Sequence, residues 1–292
     1  SHNVEYVIWQ RLCQNETNWL KKLLLQLEWR KLRHYEVSAC KRAALTITVS
    51  DADREHFLQL APTSHIQSTP TGVDIDYFQA APPEGEHPNE IVFCGSMDWF
   101  PNEDAMLWFC DTMLPAIRAR MPDVTLTIIG RNPGARIKAL ADGTKIRVTG
   151  TVDDVRPHVA PAAVYIVPLR IGGGTRLKIF EALAMGKAIV STTVGAEGLP
   201  LEDGKHIVLA DTPEAFAEKI VALLRHPSAR HNLGKAGRQL VETRYSWARI
   251  TDTFDSLCQS ACEPATPQTL LATPFNSHNL TSTLSSTKGT QS

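Results

Sequence analysis

Val164-Tyr-Ile-Val-Pro-Leu-Arg-Ile-Gly-Gly-Gly-Thr-Arg-Leu-Lys-Ile-Phe-Glu-Ala-Leu-Ala-Met-Gly-Lys-Ala-Ile-Val190 is the most informative stretch of the chain. Its opening run, Val164 to Leu169, is rich in aliphatic and β-branched residues and reads as a buried strand. Gly172, Gly173 and Gly174 follow, then a helix from Thr175 to Met185 that Gly186 ends. Successive glycines remove the side chains that would keep a ligand off the backbone. Thr175 is a natural N-cap, and the free N–H groups and partial positive charge of a helix start bind phosphate. Arg176 and Lys178 place full positive charges in that first turn, where cations are unfavourable. A bound diphosphate would reverse the sign of that cost. Glu181 lies three residues after Lys178, on the same side of the helix. A carboxylate there can accept hydrogen bonds from two hydroxyls, as of a ribose. The competing reading of the same residues is a Lys-Glu surface pair after a glycine turn, since glycine loops before helices are common.

Outward from this stretch, strands and helices alternate. Strands are expected at Glu90–Gly95, Val124–Gly130, Ile146–Thr149, Val164–Leu169, Ala188–Thr192 and His206–Leu209. Helices are expected at Asn102–Arg120, Ile137–Ala141, Val155–Ala160, Thr175–Met185 and Pro213–Leu224. That order implies an α/β fold, a parallel sheet with helices on both faces, whose ligands sit at the carboxyl ends of the strands. Two further helices span Ser228–Arg244 and Trp247 to about Cys262. Beyond Glu263, Thr, Ser, Asn, Gln and Pro dominate and apolar periodicity is lost, which predicts a disordered tail over 263–292.

The first sixty residues read as helical after a short lead, with a strand at Ala44–Val49 and Ser50 capping a new helix. Leu20, Leu23, Leu24, Leu27 and Leu32 recur at helical spacing among Lys21, Lys22, Arg30, Lys31 and Arg33. The default expectation is that the leucines face a core and the charges face water; a basic amphipathic helix on an anionic membrane surface is the alternative. Turn-rich breaks at Thr69–Asp74 and Pro82–Gly85 bracket a domain boundary. The chain is expected to divide into the remnant of a first domain (1–70), a Rossmann-like domain (71–244), a cross-over helix (245–262) and the tail.

Bulk composition narrows the function classes. The chain has 292 residues, 43% of them hydrophobic, enough for a sizeable core. Thirty Lys+Arg against 31 Asp+Glu give no basic excess, so no nucleic-acid partner is expected. Cys13, Cys40, Cys94, Cys110, Cys258 and Cys262 show no CxxC spacing, which argues against a zinc or disulfide framework and fits a reducing cytosol. No run of eighteen apolar residues and no signal peptide is visible. Asp51-Ala52-Asp53 and Asp74-Ile75-Asp76 have a DxD spacing, but read better as a helix start and a linker, so no metal is expected. No GxGxxG follows a strand with an acid about twenty residues on, which disfavours a dinucleotide oxidoreductase.

The quoted stretch resembles the signature of family-4 glycosyltransferases, retaining enzymes of the GT-B fold, and in particular bacterial exopolysaccharide sugar transferases. Their Glu-x7-Glu element precedes a small-residue helix, a glycine and an apolar strand. Glu181-Ala-Leu-Ala-Met-Gly186 and Ala188-Ile-Val190 match its second half, while Gly173 stands where the first Glu would fall. Other segments resemble the family in order. His2-Asn-Val-Glu5 is similar to a strand end whose histidine faces the interdomain cleft, and Thr71-Gly-Val-Asp74 to the linker into the second domain. Phe93-Cys-Gly-Ser-Met-Asp-Trp-Phe-Pro-Asn102 is similar to the first strand and diphosphate loop, without that loop's usual Arg and Lys. Ile128-Ile-Gly-Arg131, Val148-Thr-Gly-Thr-Val-Asp153 and Tyr245-Ser-Trp247 are similar to a strand end, to the loop whose backbone meets the nucleobase, and to the opening of the last helix.

The resemblance implies transfer of a sugar from a nucleoside diphosphate to an acceptor hydroxyl, in cell-surface polysaccharide or glycolipid synthesis. His2, Arg176 and Lys178 would be catalytic. Gly95, Ser96, Arg131, Thr151, Val152, Gly173, Gly174, Thr175 and Glu181 would bind the donor, with no metal and no cofactor. The acceptor would be a carbohydrate or lipid-linked, the location cytoplasmic, with a visit to the inner membrane face if the acceptor is lipid-linked. Most of the acceptor domain is expected to be missing, so the alternatives are a non-catalytic nucleotide-sugar-binding fragment and a GT-B-fold nucleotide-sugar epimerase. Trp99 is expected in the core, with a stacking platform as the other reading; Asp153 and Asp154 are expected to cap the following helix.

Overall fold

The computed structural model describes residues 4–171 and 177–262. The chain begins with a helical hairpin, α1 (Glu5–Asn15) and α2 (Trp19–Arg42). Val4, expected at a strand end, instead precedes α1 and is buried. No side chain of its own caps α1. The Glu36 carboxylate of α2 does so, accepting from the backbone N–H groups of Glu5 and Tyr6 at 3.0 Å each. Asn18 caps α2 through Leu20 N and Lys21 N. Strand β1 (Thr46–Thr48), helix α3 (Asp51–Leu60) and strand β2 (Ile66–Ser68) complete a small parallel unit, with Ser50 capping α3 as read from the sequence.

Residues 87–209 build a six-stranded, all-parallel sheet. Its strands are β3 (His87–Cys94), β4 (Thr125–Ile129), β5 (Ile146–Val148), β6 (Ala162–Val167), β7 (Ala188–Ser191) and β8 (Val208–Leu209), in the spatial order β5-β4-β3-β6-β7-β8. This is a doubly wound sheet whose strand order reverses between β3 and β6, and the crevice beyond their carboxyl ends is where such folds hold ligands.

Alternating side chains of the strands enter two cores. Ile91, Phe93, Leu126, Ile128, Val164 and Ile166 pack on one face, against α4 (Phe100–Trp108), α5 (Leu114–Arg120) and α9 (Pro213–Arg225). Val92, Ile129, Tyr165, Val167 and Ile189 pack on the other, against α8 (Leu177–Ala184) and α10 (Pro227–Arg244). Short helices α6 (Ala135–Lys138) and α7 (Arg156–Val159) join the strands. The cap expected from Asp153 and Asp154 is not formed on α7: Val155 is its N-cap, and the Asp154 carboxylate binds the Arg156 N–H and guanidinium instead.

The last helix, α11 (Trp247–Cys262), starts at a joint with the interdomain linker. Val73 N–H donates to Tyr245 O at 2.8 Å, and Trp247 N–H donates to Val73 O at 3.2 Å. Asp74 orders that linker through the N–H groups of Asp76 and Tyr77. The tail expected over 263–292 lies outside the described residues.

Candidate functional site

All six strands point the same way, so the segments leaving β3, β4, β5 and β6 share one edge of the sheet. Gly95 and Ser96 leave β3, Arg131 follows β4, and Thr151 and Val152 follow β5, with Thr151 exposed. Lys178 and Glu181 stand on α8, which follows β6. The described part of the expected site thus lies along the carboxyl edge. His2, Gly173, Gly174, Thr175 and Arg176 lie outside the described residues.

Lys178 is the centre of the arrangement. Its Nζ donates to Asn102 Oδ1 at 2.8 Å and stands 4.6 Å from the centre of the Phe93 ring. Asn102, in the first turn of α4, is 6% exposed and donates through Nδ2 to Ser96 O at 2.8 Å. A cation on one side and a carbonyl on the other fix the orientation of that amide. One buried side chain therefore ties α8 to the loop after β3. Sequence reading missed Asn102, because nothing local distinguishes it from an ordinary helix-start asparagine; its only signal was a polar residue beside Pro101 at the end of a glycine-containing loop.

Glycines let these parts meet. A Cβ on Gly95 would lie 2.7 Å from Lys178 Nζ and 2.9 Å from Asn102 Nδ2, and one on Gly130 would lie 1.9 Å from Gly95 O. The loops after β3 and β4 thus cross backbone to backbone. Ser96 Oγ donates to Asp98 Oδ1 at 2.5 Å and accepts from Arg131 Nε at 2.7 Å. Asn132, in the left-handed region at φ 52°, donates to the other Asp98 oxygen at 3.0 Å. These hydrogen bonds, from Ser96 first and then Asn132, hold the Asp98 carboxyl below its ordinary range.

Glu181 is half-buried. Burial raises its carboxyl above the ordinary value, and nearby Lys178 works in the opposite direction. Beneath it, burial pushes the Cys94 thiol up to about 11 and holds the Tyr165 phenol well above 10. Both remain protonated at neutral pH, so Lys178 and Glu181 supply the charge at this point of the crevice. An ammonium and a desolvated carboxylate one helical turn apart can hold an anionic group and a pair of hydroxyls together. Trp99, expected in the core, is 57% exposed beside Phe100 at 61%, because it is the N-cap of α4 and projects from the loop. Among the described residues, no group of three or more His, Cys, Asp or Glu side chains could hold a metal ion, and no helix is long and apolar enough to cross a membrane.

Comparison with known proteins places this geometry in context. The family model "Glycosyl transferases group 1" matches residues 88–226. A phosphatidyl-myo-inositol mannosyltransferase of Mycobacterium leprae is 31% identical over 213 residues, covering 70% of this chain and 56% of the relative, so the chain spans little more than half of that protein's length. The fold is that of solved GT-B glycosyltransferases. A glycosyltransferase of Rickettsia africae superimposes with a TM-score of 0.65 at 16% identity, over 76% of this chain and 65% of that one. Anabaena HepE in complex with UDP and glucose superimposes with a TM-score of 0.64 at 15% identity, over 79% of this chain and 67% of that one.

Proposed function

Residues 88–226 belong to the group 1 glycosyl transferases, and on that premise we propose that this chain provides the donor side of an enzyme that moves a sugar from a nucleoside diphosphate to an acceptor hydroxyl. The observation that carries the proposal is the Lys178–Asn102–Ser96 link, which fixes an ammonium at the switch point of the sheet with Glu181 one turn further along α8. Negative charge develops on the departing diphosphate, and a cation held in place before the reaction stabilises it without reorganisation. Lys178 does this work, joined by Arg176 and by the N–H groups of Gly174 and Thr175. Glu181 accepts the ribose hydroxyls. Gly95 and Ser96 line the phosphates, with Gly173 beside them, and Arg131 closes that loop. Thr151 and Val152 meet the base, and His2 serves the sugar or acceptor from across the cleft. No metal takes part, and the anomeric configuration is retained.

The acceptor belongs to cell-surface polysaccharide or glycolipid. The mycobacterial relative is named for a lipid acceptor, phosphatidyl-myo-inositol, which supports a lipid-linked hydroxyl and work at the cytoplasmic membrane face.

Isothermal titration of the chain with UDP and with GDP tests the donor site. One nucleotide should bind, and Lys178→Ala and Glu181→Ala should each weaken it by at least about tenfold, the equivalent of about 1.4 kcal/mol. Unchanged affinity in both variants, with circular dichroism showing a native fold, would remove the site from this crevice.

A further inference from the structure

The amino edge of the sheet, opposite the crevice, carries a cavity of its own. Glu86 leads into β3, Ala160 into β6 and Lys187 into β7, and with residues 80–82 of the linker and one side of α10 they line a volume of about 670 Å³. All of these walls belong to the sheet region and its linker. Helix α10 comes close here because Gly234 has no side chain: a Cβ on it would lie 2.0 Å from Gly186 O. That approach brings Lys235, the next residue, to the same cavity as Lys187.

The charges on the walls do not cancel. Glu86 is held by buried Arg230 and by His231 at 3.3 Å, and Glu242 by Arg238 at 2.6 Å. Among the described residues, neither Lys187 nor Lys235 has a carboxylate within ion-pair distance. Lys235 is exposed, whereas Lys187 is 6% exposed. Its Nζ donates to Ala160 O and, at 2.9 Å, to Ala162 O, which uses two of its three N–H groups. Carbonyl dipoles satisfy hydrogen bonds but leave the ionic charge incompletely compensated. Burial accordingly pulls the Lys187 ammonium down to about 8, with Glu86 and Glu90 opposing and Arg230 adding to the effect. Two cations without acids on one cavity wall are the chemistry of an anion site. The volume is that of a small-molecule pocket and exceeds what a bare anion fills, and Ala80, Pro82 and Met185 give the remainder an apolar lining.

We propose that this cavity takes a small phosphate monoester, its phosphate held by Lys187 and Lys235 and its organic part against Ala80, Pro82 and Met185. The inference stands on the amino edge alone and does not need the donor-site reading. Isothermal titration of the chain with glycerol phosphate tests it, with inorganic phosphate and glycerol as controls. One glycerol phosphate should bind per chain, more tightly than inorganic phosphate, and glycerol should not bind. Lys235→Glu should weaken binding by about tenfold or more with circular dichroism unchanged. Lys187→Met should abolish it, and Lys178→Ala, in the donor crevice, should leave it unchanged. A phosphate ester keeps its double charge above about pH 7, so affinity should fall severalfold between about pH 7.5 and about pH 9 as Lys187 loses its proton. Absence of binding by the folded chain overturns the proposal, as does binding that Lys235→Glu retains. Binding that Lys178→Ala removes overturns it too and assigns the ligand to the donor crevice. Lys187 also ties β6 to β7, so if Lys187→Met fails to fold, Lys235→Glu, on an exposed side chain, decides alone. UDP and GDP titration of the same preparations reads the donor site separately.

Discussion

If Glu181 accepts the donor's hydroxyls as proposed, it does so at a cost in stability. Burial raises its proton affinity above that of an ordinary carboxylate, so in the folded chain protonation begins at a higher pH than in the unfolded one. The linkage sign follows: its stabilising contribution is present below the unfolded pKa and is lost as pH rises through the folded pKa. In its charged form the carboxylate is therefore a burden on folding. Accepting two hydroxyls requires that same charged form. Nucleotide affinity should weaken as pH falls through the raised pKa of Glu181, and Glu181→Gln should flatten that dependence down to the share set by the diphosphate itself. Titration calorimetry across that range checks it, and thermal unfolding at neutral pH should show the variant no less stable than the parent. An unaltered profile in Glu181→Gln would mean that another group titrates. That Lys178 and Glu181 stand on one side of the helix after β6 was legible from their spacing. Asn102 was not, because its two partners lie at positions 96 and 178 and only the crossing of the loops brings them together. Trp99 was misread for a related reason: apolar character alone does not say which side of an N-cap residue faces the crevice.

At the scale of elements, the alternation of strands and helices was legible because the central strands β6 and β7 bury both faces and the long helices of the sheet region bury one. The helix read as continuous from Asn102 to Arg120 instead starts at Phe100 and carries a π turn at Phe109–Met113. Pro115 supplies the reason: it has no N–H to donate and crowds the carbonyl four residues back, and Leu114 N–H reaches Phe109 O in place of the α bond. β2 escaped reading because three residues, Ile66–Ser68, carry too little periodicity. Helix α10 packs through its glycines. A Cβ on Gly234 would lie 2.0 Å from Gly186 O, in the turn between α8 and β7, and that backbone cannot yield without moving the element that presents Lys178 and Glu181. Gly234→Ala should cost about 1–3 kcal/mol or more. Gly85→Ala, with nothing within 4 Å of its Cβ position, should stay within about 0.5 kcal/mol. Thermal melts of the two variants side by side measure the difference, and equal melting would show that α10 is free to shift.

Across the whole molecule, the buried apolar groups are distributed very unevenly. The sheet region holds two large clusters, one on each face, running from Val73 to Tyr245. The N-terminal unit holds a small one, Val4, Tyr6, Cys40, Phe57, Ala61 and Ile66, beneath a two-stranded sheet with three residues per strand. A two-stranded sheet has little independent stability, and this one leans on α3 and on the α1–α2 hairpin. The linker that follows the unit is tied to the start of α11 by the backbone bonds between Val73 and Tyr245 and Trp247, with a Cβ position on Gly72 only 2.9 Å from the Trp247 ring. Local opening follows local burial, so β1, β2 and α3 should exchange their amide hydrogens well before β3, β4 and β6. Val73 and Trp247, bonded to each other but close to the boundary, should fall between these rates. Native-state hydrogen exchange read by mass spectrometry of peptides covering 46–68, 70–80 and 87–94 resolves the order. Equal protection in 46–68 and 87–94 would mean that the two units open together as one cooperative block, and that the joint at Val73 transmits far more stability than its two backbone bonds account for.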